Sequence, residues 1–143
     1  MHSTSVLHLV YAIAGRYLET AGETGNFFPQ LHLAEAFKNI DNILRLHDIR
    51  SIQFMLLLSI YSLRSPEGQG AWAYIGLAMR LCIDVGLHRK PRKFNSPLEY
   101  ELRKRVFWTC YCIDRHVSIS LGRPFAISDR DFDADVSDRL HTV

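Results

Sequence analysis

Apolar residues recur every three or four positions along almost the whole chain, and no stretch alternates strictly between apolar and polar with turn residues at its ends. That spacing predicts an all-α chain of about five helices. The first is expected from about Thr4 to Thr20, with Leu7, Val10, Ala14 and Leu18 along one stripe. Residues 21–26, polar and bearing two glycines, read as a loop. Pro29 suits the first turn of a second helix, where its missing N–H would have had no partner anyway. Leu33, Phe37, Ile40 and Leu44 then share one face of that helix. Asp48 is placed to cap a third helix reaching about Leu63. Its middle, Phe54 to Leu58, is apolar all round and demands neighbours on several sides. Ser65-Pro66-Glu67-Gly68 ends it.

A fourth helix carries Ala71, Ile75, Ala78, Cys82 and Val85 at spacings of three and four. Gly86 is placed as its left-handed cap, with Leu87 folding back as the apolar contact. The fifth has the sharpest start: Ser96-Pro97-Leu98-Glu99 is a capping box with proline at the first helical position. Leu98, Leu102, Val106, Cys110, Ile113, Val117 and Leu121 form its stripe, and Glu99–Arg103 and Glu101–Arg105 are spaced for surface ion pairs. Gly122 caps the end and Pro124 prevents continuation. From Phe125 to Val143 the chain is acidic and irregular, an extended and solvated arm.

The 143 residues, 48% of them apolar, suit one domain over 1–143 and differ from the composition of a disordered tail. Seventeen basic against fifteen acidic residues leave a charge of +2, which makes no cationic field across the molecule. The apolar run from Phe54 to Leu63 is about half the length a membrane span needs. Val6 to Ala14 lacks the basic residues that precede a secretory signal.

Candidate chemistry thins out on inspection. Cys82, Cys110 and Cys112 contain no CxxC pair, and they read as reduced, apolar core residues. Cys112 and His116 share a helical face but offer two ligands where structural zinc takes four. Asp129, Asp131 and Asp133 alternate like the start of a calcium loop, yet the glycine position holds Ala134 and the glutamate position Leu140. There is no GxSxG and no glycine-rich phosphate loop. Asp84 and Asp114 sit in apolar helices, and Asp114, beside Arg115, reads as ion-paired. Basic residues cluster at 88–93 and 103–105; such runs can bind phosphate or serve nuclear import, but a solvated loop and a paired helix face explain them more simply.

The residues also carry a resemblance. Gly70-Ala71-Trp72 opens the fourth helix, which ends Asp84-Val85-Gly86-Leu87-His88-Arg89. The fifth carries Glu101-Leu102-Arg103-Lys104-Arg105-Val106-Phe107-Trp108, then Asp114-Arg115, then Leu121-Gly122-Arg123-Pro124-Phe125. Together with Ile52-Gln53, Leu56 to Leu58 and Tyr61 upstream, this ordered set resembles the middle-homology, or regulatory, domain of fungal zinc-cluster transcription factors, best over residues 48–137. The resemblance implies an all-helical domain C-terminal to a six-cysteine zinc cluster that binds DNA, in a nuclear protein regulating transcription by RNA polymerase II. It implies no enzyme. Trp72, Gly86, Leu87, His88, Glu101, Arg103, Arg105, Trp108, Asp114, Arg115, Gly122, Arg123 and Pro124 become a structural signature, none of them catalytic.

Three cysteines cannot rebuild the cluster, so zinc and DNA are expected only of a missing N-terminal part of the parent protein. From this chain no cofactor, no metal, no direct DNA contact and no membrane partner is expected. The implied partners are a regulatory protein or a small-molecule effector, and a second copy of the chain. The chain is expected to be an incomplete piece of a larger all-α regulatory domain. Its mechanism would be conformational, with the fourth and fifth helices packed through Trp72 and Trp108 and fixed by Arg103, Asp114, Arg115 and Arg123. The alternative is a standalone helical ligand-binding or enzyme-like protein, its interhelical pocket lined by Phe54, Tyr61, Trp72, Tyr74, Phe107 and Tyr111.

Overall fold

Helix α4 (Ile49–Leu63) is the axis of the structure, a computed structural model that describes residues 2–65 and 70–136. Around it lie α1 (His2–Thr20), α3 (Ile40–Leu44), α5 (Ala71–Asp84) and α6 (Pro97–Leu121), while α2 (Pro29–Phe37) packs on α1. Among the described residues there is no strand, so the fold is all-α. The neighbours demanded on several sides of α4 are present: Ile52, Phe54, Met55 and Leu58 are almost wholly buried. Serines reach the same core because their hydroxyls find carbonyls. Ser51 Oγ donates to Ile43 O (2.6 Å) and Ser59 Oγ to Ala71 O (3.0 Å).

The caps form where their residue types place them. Asp48 accepts from the Arg50 amide at the start of α4, and Ser96 from the Glu99 amide at the start of α6. After α5, the Gly86 amide donates to Ile83 O and the Leu87 amide to Cys82 O, with Gly86 at φ +77° and Leu87 buried. The same double bond recurs after α6, where Gly122 (φ +62°) donates to Ile119 O and Arg123 to Ser118 O. Both helices therefore end in Schellman motifs.

Three expectations are corrected. The second predicted helix is two, because Asn39 leaves the helical backbone (φ −113°, ψ 13°) while its side chain donates to Ser5 on α1. The chain thus has six helices among the described residues, not five. Helix α1 buries Ser5, Leu9, Ala12, Gly15 and Arg16, leaving Leu7 and Val10 about half exposed. Polar groups take that face because they find partners. Arg16 donates to Tyr61 Oη (3.3 Å) and pairs with Glu19 (3.1 Å), while Gly15 leaves room for Phe27 and Pro29. On α6 the middle of the predicted stripe, Val106, Cys110 and Val117, is buried as expected, but its ends are not: Leu98, Leu102 and Leu121 are exposed, and Lys104, Phe107, Asp114 and Ser118 are buried beside it. The expected terminator at 66–68 and the arm from 137 onward, with Leu140, lie outside the described residues.

Among the described residues, no helix is long and apolar enough to cross a membrane. Among the described residues, no three His, Cys, Asp or Glu side chains converge where they could hold a metal ion. Cys112 and His116 are exposed, whereas Cys82 and Cys110 are fully buried.

Candidate functional site

The segment after α6 is extended but not a solvated arm. From Gly122 to Val136 it folds back as a strap across α6 and the α5–α6 loop. A strap outside any ladder must satisfy its backbone by other means, and here the neighbouring helices supply side chains. On its first leg, Pro124 O accepts from Ser118 Oγ (3.2 Å) and from the Trp72 indole N–H (3.4 Å). The Ala126 amide donates to Asp114 Oδ2 (3.0 Å), and Arg115 Nη2 donates to Ile127 O (2.8 Å). On its second leg, the Asp133 amide donates to His88 O (3.1 Å) and the Trp108 indole N–H to Asp135 O (2.8 Å).

Side chains lock the strap as well. Phe132 enters an aromatic box with ring centroids 5.3 Å from Phe107, 5.6 Å from Trp108 and 5.3 Å from Tyr111. Arg115 pairs with Asp129 (2.6 Å) and lies over the rings of Phe125 (3.9 Å) and Tyr111 (4.4 Å). Hydrogen bonds from Arg115 and then Tyr111 hold the Asp129 carboxyl below the usual carboxylate range. Those from Tyr100 and Lys90 do the same for Asp135.

The acidic and basic stretches are therefore complementary, which corrects their separate assignment to solvent. Arg89 faces Asp133 at 3.8 Å, the Lys90 amide donates to Asp133, and Lys90 Nζ pairs with Asp135 at 2.9 Å. All are exposed pairs, each weak in water, but they all favour the same docked position.

Signature residues gather here unevenly. Trp72, His88, Trp108, Asp114, Arg115 and Pro124 contact the strap or belong to it, and Gly122 turns the chain into it. Arg123 stacks over Trp72 at 4.9 Å. The tryptophans thus serve the strap rather than a direct packing of α5 on α6. Gly86 and Leu87 end α5, and Arg103, spaced for Glu99, instead donates to Gly86 O at 3.4 Å. Arg103 accordingly stands apart from Asp114, Arg115 and Arg123. Glu101 pairs with Lys104 (2.9 Å) and Arg105 (3.1 Å) along α6. Asp84 is exposed and faces His47 Nδ1 at 3.2 Å.

Asp114 is 1% exposed and bonded through Oδ2, including 3.3 Å to Arg115 Nη1, while its Oδ1 has no partner. The six aromatic residues named for an interhelical pocket do not form a common wall: Phe54 and Phe107 are solid core, and Tyr61 is occupied with Arg16. Reasoning from the sequence missed Tyr100, Phe132 and Asp135, and placed Asp129 in a solvated arm where it pairs with Arg115. Their signal was a single aromatic residue amid carboxylates at alternate positions, directed at a basic loop some forty residues earlier.

Residues 2–137 match the fungal specific transcription factor domain. The chain is 40% identical over 134 residues to Negative regulator of pleiotropic drug resistance STB5 of Candida glabrata, covering 87% of this chain and 13% of that protein. It is 40% identical over 132 residues to Protein STB5 of Saccharomyces cerevisiae, covering 87% and 18%. Activator of stress genes 1 of Saccharomyces cerevisiae is 40% identical over 100 residues, covering 68% and 10%. The chain spans less than a fifth of the length of these curated relatives. No solved structure matches it significantly.

Proposed function

Because the chain belongs to the fungal-specific transcription factor domain family, we propose that it is the regulatory module of a zinc-cluster factor. It tunes transcription by RNA polymerase II in the nucleus, while a six-cysteine cluster elsewhere in the whole protein binds zinc and DNA. The family match over residues 2–137 carries this reading, supported by relatives that bear regulators' names. The module works by conformation rather than by catalysis.

Its moving part is the strap. Docked, it covers Trp72, Trp108 and Phe107; released, it exposes that aromatic surface and the basic loop together. A partner protein or small effector that binds one state better than the other shifts the balance by its differential affinity and by no more. Through that balance the state of the domain reaches the rest of the factor.

The test is a yeast reporter driven by a heterologous DNA-binding domain and activation domain, with the 143-residue chain fused between them. The chain should alter output, and Phe132→Ala, which frees the strap, should shift that altered output. Identical output with the chain, with the variant and with no insert would overturn the proposal.

A further inference from the structure

The second leg of the strap, residues 131–136, is seated in the manner of a bound peptide. Its side chains alternate: Phe132 and Ala134 pack on the core, while Asp133 and Asp135 face the basic loop after α5. Its main chain contributes the Asp133 amide to His88 O and Asp135 O to the Trp108 indole. Main-chain bonds combined with seats for alternate side chains are how folded domains recognise an extended segment of another protein.

Three features make this seat fit for exchange. First, what it reads is short: one aromatic ring, then an acid one place and three places after it. The ring enters the box of Phe107, Trp108 and Tyr111. Asp133 Oδ1 accepts from the Lys90 amide (2.9 Å), and the Asp135 carboxylate accepts from Lys90 Nζ and the Tyr100 hydroxyl. None of these contacts requires the leg to belong to the same chain.

The second feature is that the loop carries more positive charge than the leg uses. Arg92 and Lys93 are exposed and form no hydrogen bond or ion pair with the described residues. A segment more acidic than the strap is therefore favoured at this loop over the strap itself. Third, the hold on the leg is loose. Arg89 and Lys90 are more than half exposed where they meet Asp133 and Asp135, and Phe132 is only partly buried. Tethering keeps the leg in place by holding it at high local concentration, which a free segment of better fit overcomes.

We propose that the aromatic box and the basic loop form a docking groove for an acidic segment of a partner protein, an aromatic residue followed by acids, and that the strap is its autoinhibitory stand-in. The partner's ring replaces Phe132, its first acids replace Asp133 and Asp135, and its surplus acids meet Arg92 and Lys93. This rests on the reading that the strap undocks and adds what takes its place.

The experiment is an anisotropy titration with a fluorescein-labelled peptide of residues 128–136 extended by two glutamates. It is titrated with the 143-residue chain and with Phe132→Ala, or with Phe132→Leu should the alanine variant lose its helical circular dichroism. Only the open fraction of the chain binds, so the variant should bind at least about tenfold more tightly than the wild type. The same peptide with alanine in place of its phenylalanine should be about tenfold weaker or more. Adding Arg92→Ala and Lys93→Ala to the variant should weaken the extended peptide about threefold and leave the unextended one unchanged. In the wild-type chain, saturating peptide should move the Trp108 indole N–H signal.

No saturable binding to the variant, equal affinity for variant and wild type, or equal affinity of the alanine peptide would each overturn the proposal. So would equal competition by a single-stranded oligonucleotide of the same charge, or a strap-exchanged dimer of the wild-type chain in sedimentation, which would make a second copy the occupant. Strap opening is read separately, by exchange at the Asp133 amide. Opening without peptide binding sinks this proposal alone, whereas no opening sinks the strap reading with it.

Discussion

Replacing Phe132 by alanine should undock the strap while leaving the helices in place. The ring touches Phe107, Trp108 and Tyr111, and it is partly rather than wholly buried. Full burial of such a side chain is worth about 1.5–3 kcal/mol, and an aromatic pair adds about 0.5–1.5 kcal/mol. Incomplete burial brings the total to about 2–3 kcal/mol, so the opening equilibrium should rise on the order of 30- to 150-fold. Hydrogen exchange reads this directly. The Asp133 amide, bonded to His88 O, and the Trp108 indole N–H, bonded to Asp135 O, are protected only while the strap is docked. Both should exchange faster by that factor, with the helical circular dichroism retained, and Phe132→Leu should fall between. A change below about threefold at both sites would refute the strap as a docked element held by its aromatic anchor.

Other outcomes follow from separate parts of the structure. Gly86→Ala and Gly122→Ala each place a side chain at positive φ with nothing within 4 Å to clash, so each should cost about 1–2 kcal/mol in denaturant unfolding from conformation alone. Native protein should show one fast thiol toward an aromatic disulfide reagent, the exposed Cys112. Cys82 and Cys110 are buried, and a hydrogen bond to Cys110 together with burial pushes the Cys82 thiol up. Three fast thiols would refute the buried pair. The docked strap lowers the carboxyl pKa of Asp129 and of Asp135, so their contribution is complete above the ordinary carboxylate value of about 3.9 and fades as pH falls through the lowered values. The Trp108 indole signal should keep its docked position from pH 7 to pH 5 and move only in stronger acid; movement already by pH 6 would contradict this assignment. Ser96→Ala should cost about 1 kcal/mol by removing the cap of α6, measured by thermal or chemical unfolding.

What could be read from the sequence was local. Asp48, Ser96, Gly86 and Gly122 announce their roles because a cap depends on residues within one turn of it, and all four occupy those positions. The helical period of the chain was equally plain, since it repeats at every turn. Which face turns inward was less so, because Arg16 and Asp114 are buried only by virtue of distant partners in Tyr61 and Ala126. The break at Asn39 has the same origin, a side chain drawn to Ser5 on another helix. The strap was the least legible part. Its acids and the basic loop each look solvated when considered alone, and only the fold brings residues 88–90 against 133–135. The resemblance pointed to Trp72, Trp108, Asp114 and Arg115 but not to Phe132, the strap residue packed against Trp108.

The strap's bonds to the helices run largely through its own main chain: Pro124 O, the Ala126 amide, Ile127 O, the Asp133 amide and Asp135 O. Tolerance to substitution should therefore be lopsided across the seam. Every strap residue other than proline brings the same carbonyl and amide, so Ser128 and Arg130, whose side chains face outward, are free to change identity without loosening the dock. On the helix side no such freedom exists, since the reach and donors of Arg115 or the indole of Trp108 have no ready substitute. Such a surface can diversify in what it shows to the outside while the latch that carries it stays the same. On the strap, Ala126→Pro breaks that rule, deleting the main-chain N–H that the strap gives to Asp114.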